Sequence, residues 1–169
     1  MSDKPATEPT ASEPWLFIEP VLDTIMHGNG IASRDVYLDV YTRIGEYMDA
    51  PTPNETKQQY KHIRESLAAY MSRQTRAISE HILQTAGNHE LVHVYLENWK
   101  QYQRQTKTIN GLFKQIDAEW ALLERCTDPA VAYVPEMLLQ CWCQMFAGSL
   151  GSHLTRILCA ALESNSMDI

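Results

Sequence analysis

A chain of 169 residues, 44% of them hydrophobic, has enough apolar material for one domain with a substantial core and too little length for two. The net charge of −7 is uneven: residues 1–55 carry three basic and ten acidic side chains, 56–114 nine and four, and 115–169 two and seven. The basic middle is not accompanied by a zinc finger, an RNP-like run or a glycine-rich loop, so a protein partner with an acidic patch is expected and a nucleic acid is not.

The leader MSDKPATEPTASEP, residues 1–14, is rich in Pro, Thr, Ser and Glu and reads as a disordered tail. It has no apolar core of a signal peptide, and no stretch approaches 18 uninterrupted apolar residues, so neither secretion nor a membrane span is expected. The four cysteines, Cys126, Cys141, Cys143 and Cys159, therefore read as reduced thiols of a cytoplasmic or nuclear protein.

The apolar periodicity predicts an all-α fold. A first helix runs from Trp15 to about Met26 with Trp15, Ile18, Leu22 and Ile25 on one face, and Gly28, Asn29 and Gly30 end it. Ser33 is placed to cap a second helix, with Asp35 in its first turn where the helix dipole favours an acid. Val36, Tyr37, Val40, Tyr41, Ile44, Tyr47 and Met48 spread over two faces of this helix. Such a helix is either sandwiched inside its own bundle or keeps one edge, Tyr37 and Tyr41 beside Leu38, for a partner.

After the turn DAPTPN, residues 49–54, a third helix spans Glu55 to Thr85 with a basic outer face. Gly87 ends it, and Asn88 caps the next helix. From Asn88 to Glu124 the chain reads as a helix or helix pair with a wide aromatic face, in which Tyr95, Trp99, Tyr102 and Trp120 are the expected core anchors. A connector from Cys126 to Pro135 leads to a helix through Met137, Leu138, Trp142 and Phe146. Gly148 and Gly151 break it before a short closing helix from about Ser152 to Leu162.

One motif carries potential chemistry. His89-Glu90-Leu91-Val92-His93 is a formal H-E-x-x-H, which on a helix sets two zinc ligands one turn apart with a general base between them. The zinc metallohydrolase this would make lacks its surroundings: Trp99 stands where the metzincin extension needs a histidine, and a third ligand would have to come from Glu119 or Glu124. Capping accounts for the same residues, with Asn88 as N-cap and Glu90 in the first turn. Cys141 and Cys143 flank Trp142 on nearly opposite helix faces, a poor chelating geometry, and read as buried thiols. No nucleophile elbow, P-loop or paired-carboxylate motif is present, so no catalytic residues, metal or cofactor are assigned.

A family resemblance joins these elements. Tyr95, Trp99, Tyr102, Ile109, Asn110, Gly111, Ile116 and Trp120 resemble the signature running through the fourth and fifth helices of the first cullin repeat. Trp15 to Ile18, in EPWLFIEP, is similar to the family's opening helix, and YLDVYTRIGEYM, residues 37–48, to its second. Val131, Val134, Met137, Leu139 and Trp142 look like the start of its second repeat. The resemblance implies a cullin-repeat-like bundle of five main helices over residues 15–125. Residues 126–163 would form a connector with one or two short helices, and 164–169 a tail.

It further implies a non-catalytic module of ubiquitin ligases of the SCF type. Such a module binds a Skp-type adaptor, which carries an F-box protein, through the second and fifth helices; a BTB adaptor is the second choice. Residue by residue, the implied contacts are Tyr37, Leu38, Tyr41, Gly111 and Gln115, with Gln115 standing where family members often have an aromatic. The family's further repeats and its RING-recruiting, neddylated half have no counterpart in these 169 residues. Binding of a RING subunit is therefore not expected, and a chain acting alone would be a competitor or scaffold; a piece of a longer cullin is the other reading. A helical interaction protein with an unrelated partner is the remaining alternative.

Overall fold

The computed structural model describes residues 14–28, 33–49, 52–85, 90–123 and 132–166. They form seven α-helices: α1 (Trp15–His27), α2 (Arg34–Met48), α3 (Pro53–Thr85), α4 (Leu91–Leu112), α5 (Lys114–Leu123), α6 (Val134–Met145) and α7 (Gly151–Ser166). No strand occurs among the described residues. The all-α expectation holds.

Local chemistry sets the helix starts. Ser33 is extended and its Oγ accepts from the Val36 amide at 3.3 Å, the cap expected for α2. Thr52 does the same for α3 through the Glu55 amide at 3.3 Å, which lets α3 begin at Pro53 rather than Glu55, with proline where its missing N–H costs nothing. α6 starts on a capping box in which the Glu136 carboxylate accepts from the Tyr133 amide at 3.0 Å. The expected caps Gly87 and Asn88 lie outside the described residues, as do 1–13 of the leader and 126–131 of the connector, and Glu90, expected in the first turn of α4, stands at its N-cap position without a side-chain cap bond.

α3 is the spine: it touches α1, α2, α4, α5 and α6, the last most extensively. Its Tyr60, Ile63, Leu67, Tyr70, Met71 and Ile82 are buried in one core with Trp15, Ile18, Leu22 and Ile25 of α1 and Val40, Ile44 and Met48 of α2. The rings keep their polar ends satisfied. Tyr70 donates to the Asp23 carboxylate at 2.7 Å, Trp15 to Glu19 at 2.9 Å, and Tyr102 to the Leu138 carbonyl at 2.7 Å. Gln105, buried on α4, reaches the Met26 carbonyl at 2.6 Å and so ties off an open acceptor at the end of α1.

Two breaks interrupt the helices after residue 88, and the second falls at Gly148 and Gly151 as expected. The 88–124 stretch, read as a helix or helix pair, divides at Phe113, which leaves helical geometry (φ −98°, ψ 8°) and buries its ring completely. Between α6 and α7 a π-turn over Phe146–Leu150 contains an extended Gly148 (φ −82°, ψ −148°), and the chain re-enters the helix at Gly151. A Cβ at Gly151 would stand 1.9 Å from the Phe146 carbonyl oxygen, so glycine is what allows this junction to close. The closing helix extends to Ser166, beyond the Leu162 expected from pattern.

Candidate partner-binding face

α2 fully buries only Val40, Ile44 and Met48; its three tyrosines are partly buried and Val36 and Leu38 are exposed. Tyr37 and Tyr41, one turn apart, are partly buried and stack with ring centroids 6.3 Å apart at 9°. Leu38 beside them is 45% exposed and Val36 38%. Neither tyrosine hydroxyl has a hydrogen-bond partner among the described residues. Partial burial, and then the neighbouring Tyr41, raise the Tyr37 phenol above its ordinary range. The result is a ridge that is apolar along its sides and carries two free hydroxyls.

The second wall of this face comes from the α4–α5 junction. The Tyr37 hydroxyl lies over Gly111 of α4, where a Cβ would stand 2.9 Å from it. One turn further along, the Gln115 side chain of α5 lies over Gly45 of α2, its Oε1 3.3 Å from where a Cβ would be. Two glycines thus let two helices approach, each covered by a side chain of the other. Gln115 donates from Nε2 to the Glu119 carboxylate at 3.5 Å, and Glu119 in turn accepts from the buried Tyr60 hydroxyl. Burial and this carboxylate push the Tyr60 phenol far above its ordinary range.

All five residues singled out from the sequence, Tyr37, Leu38, Tyr41, Gly111 and Gln115, therefore fall on α2 and the α4–α5 junction facing it. Sequence reasoning missed Gly45 and Phe113. A glycine in the middle of an amphipathic helix is a signal for close backbone approach, and Gly45 carried it. Phe113 had none beyond its size.

The opposite flank of α4 meets α6. Tyr95, Trp99, Tyr102, Trp142 and Phe146 form one aromatic cluster, with Tyr102 and Trp142 4.7 Å apart and the Trp142 indole donating to the Tyr95 hydroxyl at 3.0 Å. Only Tyr102 of the expected anchors is fully buried; Tyr95 and Trp99 are half-buried, and the Trp120 side chain lies outside the described residues. α6 is also pinned at its start. The Asp117 carboxylate accepts from the Val134 amide at 2.9 and 3.1 Å, while Arg64 donates to the Ala132 carbonyl.

The zinc motif gains no support from the described geometry. Glu90 and His93 are exposed, His89 and Glu124 lie outside the described residues, and Glu119 is engaged by Tyr60 and Gln115. No group of three His, Cys, Asp or Glu side chains suited to a metal occurs among the described residues. The expectation of two buried thiols needs correction: Cys141 is buried, its thiol 3.7 Å from the Ser72 hydroxyl, but Cys143 is exposed because two steps along α6 turn it away from α3. Among the described residues no helix is long and apolar enough to cross a membrane.

A model of the cullin alpha solenoid domain matches residues 15–166, nearly the whole chain. The chain belongs to the cullin family. No curated protein and no solved structure matches it significantly.

Proposed function

We propose that this chain is an adaptor-binding module of ubiquitin ligase assemblies, and that a Skp-type adaptor carrying an F-box protein seats on Tyr37, Leu38, Tyr41, Gly111 and Gln115. The family is of scaffold type and non-catalytic, and no residue here is given a catalytic role. The observation that supports this reading is the stacked, partly buried Tyr37–Tyr41 pair beside exposed Leu38, an aromatic and apolar ridge on a helix whose core face is already filled. Tyrosines of this kind are favoured anchors, since each buries a large ring at the cost of two torsions and still offers a hydroxyl. On this reading residues 15–125 are the first cullin repeat and the helices after 126 belong to the second, and the protein works in the cytoplasm or nucleus.

Calorimetric titration of the chain with a Skp-type adaptor, and in parallel with a BTB adaptor, tests the proposal. Micromolar or tighter binding to the Skp-type adaptor is expected, abolished in Tyr37→Ala/Tyr41→Ala with helicity retained. Binding to the BTB adaptor alone would move the protein to the other subclass. Binding to neither would overturn the proposal in favour of an unrelated partner.

A further inference from the structure

The seam between α3 and α6 is the most extensive in the fold, yet its α3 side is not apolar throughout. Ser72, Thr75, Arg76 and Ser79 fall on one helical stripe, and with Gln144 and Gly148 they line a cavity of about 250 Å³. The three hydroxyls differ in what they have left to give. Thr75 is spent on the Met71 carbonyl at 3.0 Å, and Ser72 has only the Cys141 thiol, at 3.7 Å. Ser79 is 8% exposed, and its hydroxyl, on the cavity wall, has no hydrogen-bond partner among the described residues. A hydroxyl held in a packed seam without a partner is costly, and the cavity is where a partner can enter. The charge here has one sign. Arg76 is exposed and makes no ion pair among the described residues, whereas Arg73, one turn before it, is held by Glu19 at 2.7 Å. No carboxylate lines the cavity among the described residues, and burial raises the Cys141 thiol, which keeps it neutral near pH 7. On the π-turn side the wall is bare, since a Cβ at Gly148 would meet nothing within 4 Å.

We propose that this cavity binds a phosphate-type oxyanion, with the Ser79 and Ser72 hydroxyls donating to its oxygens and the Arg76 guanidinium pairing with its charge. The planar fork of arginine matches phosphate geometry, and hydroxyls rotate freely to donate, so three side chains suffice to meet a tetrahedral anion from two sides. The cavity lies below the range of about 300–1,000 Å³ usual for pockets that hold drug-sized ligands, which suits one phosphoryl group and little more. The group is either a free phosphate ion or a phosphorylated side chain of a partner, and the two present the same chemistry to these residues. None of Tyr37, Leu38, Tyr41, Gly111 and Gln115 lines the cavity, so the site does not depend on the adaptor-binding reading.

The test is a nuclear magnetic resonance titration of the full chain with inorganic phosphate and, separately, with phosphoserine, against chloride at equal ionic strength. Saturable shifts centred on the Ser72, Ser79 and Gln144 amides are expected. Phosphate should also raise the melting temperature above that in chloride, because it binds the folded state. Arg76→Gln is expected to weaken binding by about tenfold or more, the loss of a charge-assisted pair. Arg73→Gln removes the same charge from an arginine already paired with Glu19 and should leave the affinity unchanged. Ser79→Ala is expected to weaken binding about 3- to 10-fold while melting stays the same or rises, since its hydroxyl has no partner to lose within the fold. Tighter binding of phosphoserine than of phosphate would assign the group to a partner's side chain, and equal binding to the free ion. Shifts that do not saturate, or that saturate equally in Arg76→Gln, would overturn the proposal. So would a lowered melting temperature in Ser79→Ala without anion, which would show the hydroxyl to be spent inside the fold.

Discussion

The hydroxyl of Tyr37 occupies the space that a side chain at Gly111 would need: a Cβ there would lie 2.9 Å from the oxygen. This contact joins α2 to α4 and sets the height at which the tyrosine ridge stands. The obstructing atom is the free end of a partly exposed side chain, so the ring can tilt away. Gly111→Ala is expected to change stability by no more than about 1 kcal/mol, since alanine's helix preference of about 1 kcal/mol offsets the displacement. Adaptor affinity is expected to fall about tenfold as the ridge shifts, equivalent to about 1.4 kcal/mol. Denaturant titration and calorimetry on the same variant separate the two effects; unchanged affinity would show that the ridge does not depend on Gly111.

Gly151 behaves differently because its obstacle is backbone. With the Phe146 carbonyl oxygen 1.9 Å from the Cβ position, Gly151→Ala requires the α6–α7 junction to open. A loss of about 2–4 kcal/mol is expected, at the upper end for single substitutions, because no side-chain rotation relieves it. Gly148→Ala is the control, since nothing lies within 4 Å of a Cβ there.

Asp117 closes the seam between α5 and α6. Burial raises its pKa, while the Val134 amide and Arg64 oppose that shift. Asp117→Ala leaves the Val134 amide without its acceptor and Arg64 without this carboxylate, and should cost about 2–3 kcal/mol. Amide exchange at Val134 should quicken more than exchange in α1, which places the loss at this seam.

Alkaline pH should unfold the protein cooperatively. Burial raises the Tyr60, Tyr70 and Tyr102 phenols far above their ordinary value, with the carboxylates of Glu119 and Asp23 adding to it for the first two. The fold favours the protonated phenol, so the stability linked to these groups is complete below about pH 10 and is lost as pH rises beyond it. Tyrosinate absorbance followed together with helical circular dichroism should show these three rings ionising in the unfolding step. Three buried rings titrating before helicity is lost would contradict this account.

The sequence alone determined where most of the helices lie, because each presents its own apolar stripe and α2 its own cap. Trp15, Ile18, Leu22 and Ile25 all turn inward, and Ser33 caps α2 as its side-chain chemistry requires. It also marked Tyr37, Leu38 and Tyr41 as surplus apolar residues, since α2 has more of them than one core stripe can bury. The surfaces across from them were not legible. That Tyr37 rests on Gly111 and Gln115 on Gly45 depends on how α2 crosses the α4–α5 junction, and periodicity within one helix carries no information about its crossing partner. The break at Phe113 and the outward turn of Cys143 were decided the same way. Local pattern states which side of a helix must be buried; only the packed structure states against what.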